Sequence, residues 1–490
     1  MSDRLEPAGE EGRGVRPLPL RAAALPLLAE RVEVPRYDRG ALRSAVVHIS
    51  VGSFHRAHQA LYFDDLAQRG ISLDWGITGV GLRRPQMREA LGPQDGLFTV
   101  VSRGAGGAQA RVVGAITRYL FAPEEREAVL DVLASPATRL VTLTITRAGY
   151  EPTHRDGDSA PALLVEALDR RRRAGIVPFT VLSCDNLAEN GRIAQAALLE
   201  RSERLDPDLA AWIDAEGAFP SSMVDRITPR TTSVERRRIE REFGVVDRWP
   251  VVTEPFSQWV IEDSFSAGRP PLDEVGVDFV ADVRPHALLK TRLLNAAHCA
   301  LGHLGVLAGH SRSDEAAADP ALHALLVGLM DEVAPLLPVV PGVDLDRYRE
   351  TLLARVGNPA LGDSLIRLCR ASSSKVPEHV IPSLAAARAA GLPHRVLTLV
   401  VAGWLRYLGH GCDDSGRAIV LDDPLAEVLR RLASRGGEAM LADRRFFGDL
   451  AGDPSFADDV RVALDDLERL GTREAIRAAL AGDGVLGAAA

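Results

Sequence analysis

Val46-Val47-His48-Ile49-Ser50-Val51-Gly52-Ser53-Phe54-His55-Arg56 is a short apolar run that breaks at a glycine-containing turn and passes into a helical pattern. An apolar run this short, closed by a turn, predicts a buried strand. The stretch from about Ala57 to Gln68 predicts the helix behind it. The same texture repeats downstream. Trp75 to Val80, Phe98 to Ser102, Val112 to Ile116, Leu140 to Thr146 and Phe179 to Ser183 carry strand patterns, and Pro161 to Arg173 a helical one. Strands alternating with helical stretches predict βαβ units and a parallel sheet.

The first strand-to-helix turn of such an alternation is where a Rossmann-like domain holds the pyrophosphate of a dinucleotide. Ser50, Val51, Gly52, Ser53, Phe54, His55 and Arg56 are therefore the candidate cofactor segment. Gly52 would let backbone approach the phosphates, and the amides opening the helix would face them. Only one glycine of the usual G-x-G-x-x-G is present, so the turn alone decides little. The second strand ends Gly79-Val80-Gly81-Leu82-Arg83-Arg84-Pro85-Gln86, with no acid before Glu89. An acid there would bind the ribose hydroxyls of NAD. Arg83 and Arg84 would instead meet a 2′-phosphate, which keeps NADP open beside NAD.

From about Pro285 the composition turns to Ala, Leu and Arg. Helical periodicity runs over Leu288 to Leu307, Ala321 to Leu337, Leu345 to Arg355, Val396 to Leu408 and Pro424 to Ser434. The expected organisation is a poorly ordered lead-in over 1–40, a Rossmann-like α/β dinucleotide-binding domain over 41–284, and a mostly α-helical substrate and catalytic domain over 285–490.

Length and composition suit two soluble domains with substantial cores. A net charge of -9 speaks against a nucleic-acid partner, which demands a basic face. The apolar runs are too short to span a bilayer, and acids near the N-terminus argue against a secretory signal. Cys184, Cys299, Cys369 and Cys412 are scattered, as reduced thiols of a cytoplasmic protein would be. No Cys/His cluster has zinc-ligand spacing, so no metal is expected.

Of the 58 Lys and Arg residues only Lys290 and Lys375 are lysine, and the asparagines are only Asn186, Asn190, Asn295 and Asn358. Arginine supplies positive charge but cannot act as a base. Lysines retained in such a chain mark places where amine chemistry matters. Lys290-Thr-Arg-Leu-Leu-Asn295-Ala-Ala-His298 lies in a helical stretch. At about 100° per residue, Asn295 sits about 140° and His298 about 80° from Lys290 on one broad face. Oxidation of an alcohol needs a base, donors for the developing alkoxide and a hydride acceptor. A buried lysine with lowered pKa serves the first need, asparagine amides the second, and histidine can orient the hydroxyl. A snorkelling lysine over a satisfied core histidine is the bland alternative.

The chain resembles the long-chain mannitol dehydrogenase family of polyol dehydrogenases over roughly residues 45 to 430. The matching segments are the Val51-to-Gln59 turn, Leu143-Thr-Ile-Thr with Gly149-Tyr150, Ser183-Cys-Asp-Asn186-Leu, Met223-Val-Asp225-Arg-Ile-Thr-Pro229, Val252-Thr-Glu-Pro-Phe256 with Gln258-Trp-Val260, the lysine helix, and Ser373-Ser374-Lys375. The resemblance implies Lys290 as general base, Asn186 and Asn295 as an oxyanion pair, and His298 as a substrate partner. It also places Asp225, Arg367 and Lys375 in or near the polyol pocket. Two departures stand out: Ser50 replaces a usual glycine, and Ala287 a carboxylate that some members carry before the lysine.

The expected activity is NAD-dependent interconversion of a D-mannitol-like polyol and its 2-ketose, by a monomer or weak oligomer acting on a small molecule. The alternatives are a keto-uronate reductase of the fructuronate or tagaturonate type, toward which Ala402 to Tyr407 leans, and a non-catalytic nucleotide sensor. The intact Lys290, Asn186, Asn295 and His298 set weighs against the sensor.

Overall fold

The first strand, β1 (Val46–Ile49), is buried at every position, as a near-continuous apolar run in a parallel sheet covered on both faces should be. The structure, a computed structural model, describes residues 16–151, 157, 159–433 and 437–482. The chain divides after Val283 into two compact units.

In the first unit β1 is followed by two short helices, α1 (Ser53–Ala57) and α2 (Gln59–Gln68), where the sequence suggests one. The break is at His58, whose φ of -128° and ψ of -88° fit no helix. Then come β2 (Ile77–Gly81), β3 (Ile116–Phe121), α3 (Ala122–Ala134), β4 (Leu140–Leu143), α4 (Ala160–Arg173), β5 (Thr180–Ser183) and α5 (Asn190–Leu205). The five strands form one parallel sheet in the order β3-β2-β1-β4-β5. That is the Rossmann order, and its direction of winding reverses between β1 and β4.

Some boundaries differ from expectation. The segment read as one strand from Val112 to Ile116 is split: Gly107–Val113 pairs antiparallel with Phe98–Gly104 in a separate small sheet, while Ile116 opens β3. The β-branched run 140–146 leaves the sheet at Leu143, because Thr144 to Thr146 turn to meet other loops. Gly79 and Gly81 of β2 make room for Tyr119 of β3; a Cβ on Gly81 would fall 2.1 Å from its hydroxyl.

Of the lead-in, residues 1–15 lie outside the described residues. Residues 16–40 are held in place, contrary to the expectation from their Pro- and Arg-rich composition. Leu18–Pro19 pairs with Val245–Val246, and Leu20, Leu28 and Val32 are buried with Leu97, Val112 and Val245. Apolar residues spaced between the polar ones supply the burial that composition alone hides.

The second unit is helical. Its elements around the lysine are α6 (Arg284–Lys290), a π-helical segment over Thr291–Asn295, α7 (Ala296–Leu307), α8 (Leu365–Cys369), α9 (Ser372–His379) and α10 (Arg395–Gly409). The continuous α-helix expected over Leu288 to Leu307 is therefore interrupted. The Ala296 amide donates five residues back to the Thr291 carbonyl, the i→i+5 pattern of a π turn. Helices Pro454–Leu470 and Thr472–Ala481 close the unit. Glycines set close approaches: a Cβ on Gly403 of α10 would sit 2.5 Å from Leu304 of α7. Trp404 is wholly buried among Phe446 and Phe447, so the 402–407 segment is core and does not speak to the substrate.

Candidate active site

At the end of β1 the backbone of Ser50 turns left-handed, with φ 77°. Its amide donates to the Val80 carbonyl, and its own carbonyl accepts from the Thr144 hydroxyl at 3.0 Å. That hydroxyl, having spent its proton, accepts from His48 Nε2 at 3.0 Å, which leaves His48 Nδ1 to accept from Thr142 at 2.7 Å. The loops after β1 and β4 are thereby tied at the switch point of the sheet.

Gly52 caps α1 in an extended conformation, φ -111° and ψ -171°, open to any residue. A Cβ there would meet nothing nearer than the Ser50 carbonyl at 3.8 Å. Neither backbone nor packing demands the glycine, so the space before it is free for a ligand to approach the main chain, as a pyrophosphate requires. The side chains of the turn divide. Ser53 and Phe54 are half-buried and Val51 is buried. His55 is wholly buried and stacks on His48 with ring centroids 3.4 Å apart. Burial holds both imidazoles neutral, His48 down to about 3 and His55 well below the usual value. Arg56 is buried too, donating to the Gly52 and Trp249 carbonyls. The segment thus offers a ligand its amides and Ser53, while His55 and Arg56 brace it from behind. Arg83 and Arg84 are exposed after β2.

Beyond β5 the Asp185 carboxylate accepts from the Ile145 and Thr146 amides and the Tyr150 hydroxyl. It ties the loop after β4 to the one that carries Asn186, which is exposed. Burial raises the Asp185 carboxyl above its usual range against those hydrogen bonds. Asn190 is structural: its amide bridges the Asp185 and Ser222 carbonyls and accepts the Ser222 amide, all at 2.9 Å. Asp225 is buried at the end of the strand Ser222–Asp225.

In the second unit Lys290 immediately precedes the π segment, Asn295 is its last residue, and both are buried. A π turn advances each residue through a smaller angle than an α turn. Asn295 and His298 therefore come nearer to the lysine's meridian than a straight α-helix would put them. His298 is half-buried. Burial first, then Arg367, Lys375, Arg355 and Lys290, hold its imidazole well below the usual pKa, so it is neutral at every working pH. Three of these cations, Lys290, Arg367 and Lys375, are the ones singled out from the sequence. Arg367 lies bidentate on Asp363, with Nε to Oδ1 at 2.5 Å. Lys375 donates to the carbonyls of Arg367 and Leu368 at the end of α8, at 3.4 and 3.0 Å. One of its three donors remains. Burial lowers its pKa. Asp423 accepts from Ser372 and Ser373 and so fixes the start of α9, which carries Lys375.

Sequence reasoning missed His379, four residues after Lys375 on α9 and buried. The one available signal was that i, i+4 spacing. Among the described residues no group of three His, Cys, Asp or Glu side chains is placed to hold a metal ion, and no helix is long and apolar enough to cross a membrane.

Comparison with known proteins gives this arrangement a lineage. The profile of the mannitol dehydrogenase Rossmann domain matches residues 44–274, and that of the mannitol dehydrogenase C-terminal domain residues 282–468. A mannitol 2-dehydrogenase of Phaeosphaeria nodorum is 45% identical over 91% of this chain and 83% of its own length. One from Aspergillus clavatus is 44% identical over 90% of this chain and 94% of its own. Pseudomonas fluorescens mannitol 2-dehydrogenase, solved as a ternary complex with NAD and D-mannitol, superposes with a TM-score of 0.89 at 39% identity, covering 94% of this chain and 99% of that one. A D-sorbitol dehydrogenase in substrate-free form gives 0.84 at 32% identity, covering 94% and 100%. Matched over both of its units, the chain belongs to the mannitol dehydrogenase family.

Proposed function

We propose that this chain is an NAD-dependent polyol dehydrogenase that interconverts a D-mannitol-like polyol and its 2-ketose, with Lys290 as the general base. The observation that carries the reading is the second unit's cluster: a buried lysine across a π turn from a buried asparagine, with a neutral imidazole three residues on whose protonation Arg367 and Lys375 also oppose. The names of the relatives weigh toward a polyol rather than a keto-uronate.

NAD, when bound, supplies the hydride acceptor, and the open space before Gly52 suits its pyrophosphate. The amides of Ser53 to His55 receive the phosphates. Arg83, exposed after β2, is available to a 2′-phosphate, which keeps NADP open beside NAD. Lys290 takes the proton of the reacting hydroxyl. The amides of Asn295 and Asn186 donate to the oxygen as it gains negative charge. Neutral His298 hydrogen-bonds the hydroxyl and cannot compete with Lys290 for the proton. Asp225, Arg367 and Lys375 hold the remaining hydroxyls.

The test is kinetic. A base must be neutral to accept a proton, so polyol oxidation should rise with pH through one ionisation, while ketose reduction, which uses the protonated amine, should fall. Lys290→Ala should lower oxidation by about 10²-fold or more while NAD binding persists. Lys290→Arg should not restore it, because arginine keeps its proton. Near-normal turnover in Lys290→Arg would move the base elsewhere, to His298 first. A panel of mannitol, arabinitol, sorbitol, fructose and fructuronate with both cofactors decides substrate and cofactor together.

A further inference from the structure

We infer that His379 is a proton-relay residue that carries the substrate's proton from Lys290 to water. The inference rests on the reading of Lys290 as the base. Helix α9 packs against the π segment that follows Lys290. Lys375 and His379, four residues apart on α9, share one of its faces. His379 is buried, with 6% of its surface left to solvent, and its Nδ1 is enclosed without a hydrogen-bond partner. An orphaned buried nitrogen is destabilising, so its persistence calls for a use.

The charged groups that act on this ring are Lys290 and Lys375. Burial first and then these two cations keep it neutral, down to about 3. A neutral imidazole has one N–H and one lone pair. It can take a proton on one nitrogen while releasing another from the opposite one, without ever accumulating as imidazolium. His303 has two orphaned nitrogens as well, but Lys375 and Asp423 act on it and Lys290 does not. His298 also answers to both lysines but is assigned to the substrate's hydroxyl, which leaves His379 on α9 as the ring for the relay.

The balance is complete. In oxidation the hydroxyl O–H breaks and an N–H forms on Lys290, while the carbinol hydride leaves for the oxidised cofactor. The ammonium N–H then breaks as an N–H forms on His379, directly or across one water, and the ring's other proton passes to solvent. In ketose reduction the same chain runs inward. His379 acts through Lys290 and positions the proton; it does not touch the substrate.

The experiment is stopped-flow polyol oxidation in weak buffer with a pH-indicator dye, following reduced cofactor and released proton together. His379→Asn should lower kcat by about 10²-fold with KM for the polyol within about threefold. The dye signal should lag the cofactor signal, and added imidazole should restore rate in His379→Ala. If His379→Asn melts below the assay temperature, His379→Gln takes its place. Unchanged kcat with coincident signals overturns the relay, as does a rise in KM alone or failure of imidazole to rescue. Inactive Lys290 variants beside normal His379 variants would end this inference and leave the base reading standing. An active Lys290→Arg would end the base reading itself.

Discussion

Ser50 sits in a backbone conformation that suits glycine, at the point where β1 delivers the chain to the cofactor turn. A left-handed L-residue costs about 1–2 kcal/mol, while glycine costs about 0.5–1 kcal/mol more in chain entropy. Ser50→Gly should therefore raise the stability of the first unit by about 0.5–1 kcal/mol, read as a higher melting temperature. A lower one would show that the serine side chain contributes something the backbone argument misses. At this scale the sequence was readable where residue types are scarce. The rarity of lysine pointed to Lys290 and Lys375, whose charges both oppose protonation of the His298 imidazole. Rarity is not function, however: Asn190 is equally scarce and only holds a loop to a strand. His379 gave no such signal, being one of 12 histidines. Its burial depends on α9 meeting the π segment, a tertiary event that no local pattern records. His55 and Arg56 were legible as members of the turn, but not as side chains facing inward.

The π segment is the element whose effect is largest for its length. Its five residues, Thr291 to Asn295, are ordinary in helices, and the i→i+5 bond leaves no compositional trace, so the run 288–307 reads as one α-helix. Deleting Thr291, which is half-buried, should restore α-helical winding, and because four α steps turn about as far as five π steps, Lys290 should keep nearly the same direction relative to Asn295 and α7. Oxidation should then persist within about tenfold, with helix content and NAD binding near normal. A loss of about 10²-fold or more would mean that the π winding itself, and not only the direction it gives the lysine, serves the site. Strand and helix alternation, by contrast, was legible almost throughout, because both faces of the parallel sheet are buried and its strands carry unbroken apolar runs. The failures came at turns, where hydrogen bonds between distant loops, such as Asp185 to the 145–146 amides, decide where a strand ends.

Among the described residues, five imidazoles (His48, His55, His298, His303 and His379) are held neutral, three of them down to about 3. Their folded pKa values lie below the ordinary 6.5, so the unfolded chain takes up protons that the folded chain refuses. This contribution is full above about pH 6.5 and is lost as pH falls toward 3. Burial raises the carboxyls of Asp64, Asp185 and Asp247, which work in the opposite direction. The imidazoles titrate nearest this range, so unfolding takes up protons as pH falls from about 6.5 and stability falls with it. Calorimetry from pH 6.5 to 5 should show steadily falling transitions, and a flat series would contradict the account. The two-unit plan was legible from composition, as the change of texture near residue 285 falls close to the division after Val283; the fixed segment from residue 16 was not. Neither lysine lies exposed: Lys290 is buried and Lys375 partly so. Acylating esters, which on most proteins scatter over dozens of surface amines, have here only the chain terminus and these two side chains to attack. Dye conjugation or lysine-directed crosslinking that reaches a side-chain amine would fall on a group proposed for the chemistry, so a label on either lysine would double as an inhibitor.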